Sequence, residues 1–325
     1  MTRFVIIGGS GFVGQWLVKR WAKEGKAMLV DDIVAFPDRK VGGFEYADVD
    51  IRDKASLERL HLNSNDVVIH LAANQYHLRP PRKERKAYFF DTNVEGTRNV
   101  LEAMDRGGCR RLVYFSTDMV YGKPDAIPVK SDHPKRPFGF YGASKLASEE
   151  LCETYRRKGM NITIFRPRMI IGPGRLGVLK KLFKLIQCGL PVPLIGDGSN
   201  CYQMVSVFDV VEAIGLAVKK DCPNKAYNLG YCNPPTVLEL MNNLIEKERS
   251  RSVVLKTSGK WVKRVLEGLG ALGLEILYKE QYEIADEQYI VDISETEKDL
   301  GWRPQFNDAD MLQEAYQQYV ALADQ

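Results

Sequence analysis

The feature that most constrains this chain is Gly8-Gly9-Ser10-Gly11-Phe12-Val13-Gly14, glycines recurring at every third position directly behind the apolar run Phe4-Val5-Ile6-Ile7. Few architectures accommodate a strand that ends in such a loop and continues as a helix. The first glycine permits the tight turn, the second lets a pyrophosphate approach the backbone, and the third lets the helix pack closely against the strand. The helix opening at Phe12 and Val13 aims its free N–H groups at the same phosphate position. Gly8, Gly11, Phe12, Val13 and Gly14 are therefore candidate contacts of a dinucleotide.

The next apolar run, 27–31, ends in Asp31-Asp32, with Asp31 seventeen residues past Gly14. A carboxylate about 20 residues beyond the glycine loop is placed to accept the hydroxyls of the adenine ribose. The same charge repels a ribose 2′-phosphate, and the loop carries neither Arg nor Lys. The pattern predicts NAD rather than NADP. Asp50-Ile51, after a short third strand, is placed to cover the adenine; capping a helix is the competing use of that aspartate.

Apolar runs at 67–71, 111–115 and 162–166 read as further buried strands, continuous rather than alternating. Amphipathic stretches at 12–23, 54–60, 86–105 and 141–157 read as the helices between them. Strands alternating with helices predict an α/β fold, a Rossmann-type doubly wound parallel sheet. After Arg166 the rhythm changes to a Pro- and Gly-rich stretch holding one basic helix at 177–188. Strands at 202–207 and 226–229 and helices at 210–219 and 237–248 follow. The expected organisation is an NAD-binding domain over 1–166 and a smaller substrate-binding part over 167–325, with elements exchanged between them.

Composition narrows the function classes. A chain 45% apolar and 27% charged is ordinary globular protein, and a net charge of +4 gives no electrostatic footprint for nucleic acid. Eighteen consecutive apolar residues occur nowhere, and the N-terminus reaches glycine too soon for a signal peptide. The expectation is a soluble, cytoplasmic protein without a membrane span. Six cysteines without a C-x-x-C pair and four histidines without metal-ligand spacing predict reduced thiols and no metal site.

Tyr141-Gly142-Ala143-Ser144-Lys145 places a phenol and an ammonium on one helical face. A neighbouring cation stabilises a phenolate, the condition for a tyrosine to move protons between an alcohol and a ketone. At this point the chain resembles the extended short-chain dehydrogenases/reductases of the NAD-dependent epimerase/dehydratase family. The matching residues are the three glycines, His70-Leu71-Ala72-Ala73, Asn93 in Asp91–Thr97, Ser116–Gly122, Tyr141 with Lys145, Arg166-Pro167 and Gly172-Pro173. The match is specific as far as residue 175 and looser beyond.

The resemblance implies roles. Tyr141 is the acid/base, Lys145 binds the nicotinamide ribose and tunes Tyr141, and Thr117 hydrogen-bonds the reacting hydroxyl. Leu71, Ala72, Ala73 and Ser116 line the cofactor cleft, and Asn93 holds a helix bend beside it. Similar 4,6-dehydratases carry Asp-Glu where this chain has Asp118-Met119, and a thioether takes no proton. Many relatives also have Arg-Asp after the Gly-Asp-Gly turn, where this chain has Tyr202-Gln203. Met119, Arg168, Arg175, Tyr202 and Gln203, with Thr117 and Asp118, are the candidate substrate contacts, and Asp118 joins Tyr141, Lys145 and Thr117 as a candidate catalytic residue. Basic clusters at 79–86 and 175–184 read either as anion contacts or as solvated surface.

The expected reaction is NAD-dependent epimerisation of a nucleotide sugar through a keto intermediate, by a homodimer. A net dehydrogenase or reductase of a non-nucleotide alcohol is the rival, and a non-catalytic NAD scaffold the third reading. The basic amphipathic stretch 261–279 is expected to pack over the substrate cleft, the alternative being a membrane surface.

Overall fold

In a computed structural model, which describes residues 2–34, 41–76, 80–174, 177, 179–272, 274 and 276–323, the strands and helices alternate through the first 230 residues. The strands are β1 (Arg3–Ile7), β2 (Met28–Asp31), β3 (Glu45–Ala47), β4 (Asp66–His70), β5 (Arg111–Phe115), β6 (Asn161–Pro167) and later β10 (Ala226–Leu229). They form one seven-stranded sheet in the order β10-β6-β5-β4-β1-β2-β3, every pairing parallel. From β1 the chain winds outward through β2 and β3, then crosses to β4 and winds the other way. The loops after β1 and β4 therefore diverge at the carboxyl edge, which opens the crevice where doubly wound sheets bind ligands.

Burial explains the continuous apolar runs. Val5, Ile6 and Ile7 are fully enclosed, Ile6 packing with Leu17 and Trp21 of α1 (Phe12–Lys23) and Val5 and Ile7 with Val100 and Met104 of α3 (Thr97–Arg106). Helices α1 and α6 (Val207–Lys219) cover one face of the sheet; α3 and α4 (Phe140–Arg157) cover the other. Because β10 joins β6 and α6 packs on α1, the first layer draws on chain from beyond residue 166.

The remaining part is built on a third core around Phe183, Leu240 and Tyr316. Its elements are α5 (Leu179–Gln187), α7 (Val237–Lys247) and α11 (Asp308–Ala323). Two short parallel pairs brace it: β7 (Met169–Ile171) with β9 (Met204–Ser206), and β8 (Val192–Pro193) with β11 (Val254–Leu255). Three further helices, α8 (Gly259–Ala271), α9 (Lys279–Tyr282) and α10 (Ser294–Leu300), precede α11.

Several local expectations are revised. The stretch 54–60 is a 3₁₀ turn, Ser56–Leu60, rather than an α-helix, and the helix expected at 86–105 is broken. It runs as α2 (Arg85–Phe90), a π turn over Asp91–Gly96, and α3. Apolar periodicity does not register a single wide turn, so the break is invisible in the pattern. The strand expected at 202–207 is cut to Met204–Ser206. Helix α8 has no fully buried residue, its inner side being half-buried, and the end of the stretch expected over the cleft, Tyr278, stacks on Tyr76 at 4.8 Å.

Candidate active site

The glycine loop is shaped by steric exclusion. A Cβ on Gly14 would lie 2.5 Å from the Gly8 carbonyl oxygen, and one on Gly8 would lie 2.5 Å from the Ala72 nitrogen. Leu71 and Ala72 both donate their N–H to the Ile7 carbonyl, at 2.8 and 3.1 Å, which draws the Leu71–Ala73 loop against the glycines. Beside this cradle the Asp31 carboxylate is wholly buried, and neither oxygen has a hydrogen-bond partner. Burial, reinforced by the neighbouring Asp32, pushes its pKa up to about 8. Two orphaned acceptors beside a phosphate-shaped backbone turn fit the adenine-ribose end of a dinucleotide. Asp32 serves the loop itself, accepting from Ser10 N–H at 3.0 Å.

The other expected cofactor contacts divide. Asp50 is engaged by the Arg52 guanidinium at 2.6 Å, and Ile51 is a core residue whose Cδ1 would lie 2.6 Å from a Cβ at Gly96. Ser116 is buried at the end of β5, its N–H donating to the Phe165 carbonyl at 2.7 Å. Phe12 and Val13 open α1, and Trp16 on the next turn donates Nε1–H to the Pro173 carbonyl at 2.9 Å, tying the cofactor helix to the start of the second part.

Tyr141 and Lys145 lie in the first turns of α4, both buried. Desolvation lowers the Lys145 ammonium to about 7, and its Nζ sits over the Tyr114 ring, 4.3 Å from the centroid. Asn93 lies inside the π turn, its Oδ1 accepting from Asn74 N–H at 2.8 Å and its Nδ2 donating to Ser144 Oγ at 2.9 Å. The widened turn thereby holds α4 from the residue before Lys145. Asn93 itself is positioned as a brace.

Thr117 Oγ1 donates to Asp118 Oδ1 at 3.1 Å and accepts from Met119 N–H at 3.3 Å. The hydroxyl proton rests on the carboxylate and is the one proton Thr117 can turn towards an incoming oxygen. Asp118 is in turn ion-paired with Arg168, both buried, and the guanidinium is sandwiched near Tyr289 (4.1 Å) and Tyr202 (4.9 Å). Nε and Nη2 of Arg168 are buried without partners. Gln203, an expected substrate contact, is spent on the backbone: it donates to the Tyr231 carbonyl at 2.7 Å and accepts from Val291 N–H at 2.8 Å. Arg175, together with His77 and Arg79, lies outside the described residues.

The sequence reading missed an aromatic wall. Tyr76 and Phe89 pack on Tyr141 with ring centroids at 5.6 and 5.8 Å, Tyr278 stacks on Tyr76 at 4.8 Å, and Met119 borders the group. Phe89-Phe90 one turn before Asn93 was the available signal; nothing local connects Tyr278 to Tyr141. A second buried pair was also missed. Arg166 donates to both oxygens of Glu149, at 2.8 and 2.7 Å, and to Tyr121 Oη at 2.9 Å, which locks β6 to α4. Among the described residues no group of His, Cys, Asp or Glu is arranged to hold a metal.

The sequence profile of the NAD dependent epimerase/dehydratase family matches residues 4–230. The chain belongs to this family. It is an NAD-dependent enzyme of the extended short-chain dehydrogenase/reductase type, and Asp31 and the glycine cradle are the residues that fit the cofactor. The chain is 30% identical over 318 residues to the y4nG protein of Sinorhizobium fredii, covering 98% of this chain and 78% of that one. It is 29% identical over 283 residues to the N-acetyl-alpha-D-glucosaminyl-diphospho-ditrans,octacis-undecaprenol 4-epimerase of Escherichia coli O157:H7, covering 85% and 80%. A crystal structure of UDP-galactose 4-epimerase superposes with a TM-score of 0.77 at 26% identity, over 99% of both chains. No helix among the described residues is long and apolar enough to cross a membrane.

Proposed function

We propose that this enzyme inverts a secondary alcohol carbon of a diphosphate-linked sugar, a nucleotide sugar in the first instance, by transient oxidation to a ketone. The observation that carries the reading is the state of residues 118 and 119. Elimination of water beside a ketone needs a base at the neighbouring carbon and an acid for the departing hydroxide. Here Asp118 is neutralised by Arg168, and Met119 borders the aromatic wall. What remains is the alcohol–ketone machinery: Thr117, Tyr141 and Lys145.

Bound NAD supplies reversible exchange of the carbinol hydride. The protein's share is the proton and the geometry. Thr117 turns its own proton from Asp118 to the carbinol oxygen, which leaves the single proton of the reacting hydroxyl to Tyr141. Tyr141 takes the hydroxyl proton as the ketone forms and returns it after the sugar has turned over. Lys145 offsets the charge on the phenolate and holds the nicotinamide ribose. The buried aromatic wall keeps water from the ketone.

The carrier of the sugar diphosphate has a second reading. The E. coli relative is named for a polyprenol diphosphate substrate, and in this chain the position after the Gly-Asp-Gly turn offers Tyr202 and a fully engaged Gln203 in place of an Arg clamp. The proposal extends to a homodimer in the cytoplasm, supported by the family resemblance. Incubation with UDP-, dTDP-, GDP- and CDP-sugars, read by NMR for the epimer and by mass spectrometry for loss of water, tests the reaction. An epimer of unchanged mass without accumulation of reduced cofactor is expected; a dehydrated 4-keto product at catalytic rates overturns it.

A further inference from the structure

Helix α8 and the turn after it do not behave like a buried terminal element. Trp261 is 66% exposed, Leu272 81% and Leu274 62%, and Val265 and Ile276 are exposed as well. Trp261, Val265, Gly268 and Leu272 follow one another at intervals of four, three and four residues, which is one stripe along a helix. This stripe faces away from the protein. The opposite side, with Val262, Leu266 and Leu269, is half-buried, and Lys263 fixes it by donating to the Glu283 carbonyl at 2.7 Å and pairing with Asp286 at 2.5 Å. The helix is therefore held firmly in place with an apolar face turned outward, which water alone gives no reason to keep.

The rim of the stripe is basic. Lys260 and Arg264 are exposed on α8 itself. Arg82 donates to the Gly270 carbonyl at 2.8 Å at the far end of the helix. Lys181 donates to the Ile276 carbonyl at 3.0 Å, which brings α5, with exposed Lys180 and Lys184, against the apolar turn. The one acid in α8 is Glu267, 3.8 Å from Lys279. An apolar stripe carrying Trp and Leu inside a rim of Lys and Arg is the composition of a helix that lies in the headgroup layer of an anionic bilayer. A symmetric second copy would set the basic rim against itself, which costs association.

We propose that α8, with Leu272, Leu274 and Ile276 beyond it, docks this enzyme on an anionic phospholipid surface. The docking element reaches the active site directly. Tyr278, two residues past Ile276, stacks on Tyr76, which packs on Tyr141. Docking through the stripe sets the bilayer beside the mouth of the catalytic cleft. The inference rests on exposure, spacing and charge, and stands whichever sugar the enzyme turns over.

The test is cosedimentation of the full chain with vesicles of phosphatidylcholine alone and of phosphatidylcholine with about a third phosphatidylglycerol. Wild type is expected to pellet with the anionic vesicles at least tenfold more than with the neutral ones, less so as salt rises, with a blue shift of tryptophan emission. Trp261→Ser/Leu272→Ser should lose at least tenfold in bound fraction, and Lys260→Glu/Arg264→Glu likewise, while both keep wild-type NAD affinity and thermal midpoint. Wild type remaining in the supernatant overturns the proposal, as does undiminished pelleting of the stripe variant. Gel filtration in which the stripe variant converts a dimer to a monomer, with no vesicle binding by wild type, assigns the stripe to a second copy and also overturns it.

Discussion

Lys145 is an ammonium held in an enclosed site. Its Nζ lies over the Tyr114 ring, and desolvation brings its pKa from 10.5 to about 7. The folded chain then binds this proton less tightly than the unfolded chain. The lysine costs stability at every pH below 10.5, and the cost is complete below about 7. At ~1.4 kcal/mol per pH unit the gap amounts to about 4 kcal/mol near neutrality. Lys145→Met keeps the length and apolar stem while deleting the charge, so the variant should gain up to that amount. With an unfolding entropy of ~2.1 cal/mol/K per residue over 325 residues, the thermal midpoint rises by about 6 °C. Scanning calorimetry without NAD at about pH 6.5 and again at about pH 9.5 reads the effect, which should shrink at the higher pH as the wild-type lysine is neutral when folded. Turnover should fall by at least ~10²-fold, because no cation is left to offset the Tyr141 phenolate. A variant that melts at or below the wild-type midpoint at the lower pH, or a difference that is flat across the range, refutes the reasoning.

Tyr141→Phe should lower turnover by ~10²-fold or more with NAD binding retained, measured by steady-state kinetics and cofactor titration. Wild-type turnover would remove Tyr141 from its role. Asp31 is protonated in the cofactor-free chain up to about pH 8, and its carboxylate is the form that accepts ribose hydroxyls and repels a 2′-phosphate. NAD affinity and the preference for NAD over NADP should therefore both rise as pH increases through 8, and Asp31→Ala should flatten both titrations. The raised pKa also means that the cofactor-free chain loses stability as pH rises through that value. Arg168→Met strands the Asp118 carboxylate in a buried site and should cost about 3–5 kcal/mol in urea unfolding, of which Arg168→Met/Asp118→Asn recovers part. Equal stability of the single and double variants would show that the pair is not coupled.

What the sequence by itself determined is whatever chain neighbours encode. The glycine spacing, the acid at the end of the second strand, and a phenol and ammonium one helical turn apart are local patterns, and each acts through backbone geometry that a few residues specify. The continuous apolar runs likewise announced a sheet covered on both faces, since only a fully buried strand has no polar side. Tertiary structure decided everything that depends on distant residues meeting. Arg168 neutralises Asp118 from 50 positions away, and Tyr278 completes a wall around Tyr141 from more than a hundred. Gln203 looked like a substrate ligand until its amide was found bonded to the backbone at Tyr231 and Val291. Helix α8 shows the limit most directly. Its two apolar sides are equal as sequence, and only the packing of α9 and the following loop determines which is covered and which meets solvent or lipid. Periodicity states that a helix has an apolar face; the partner that covers it is a property of the assembled fold.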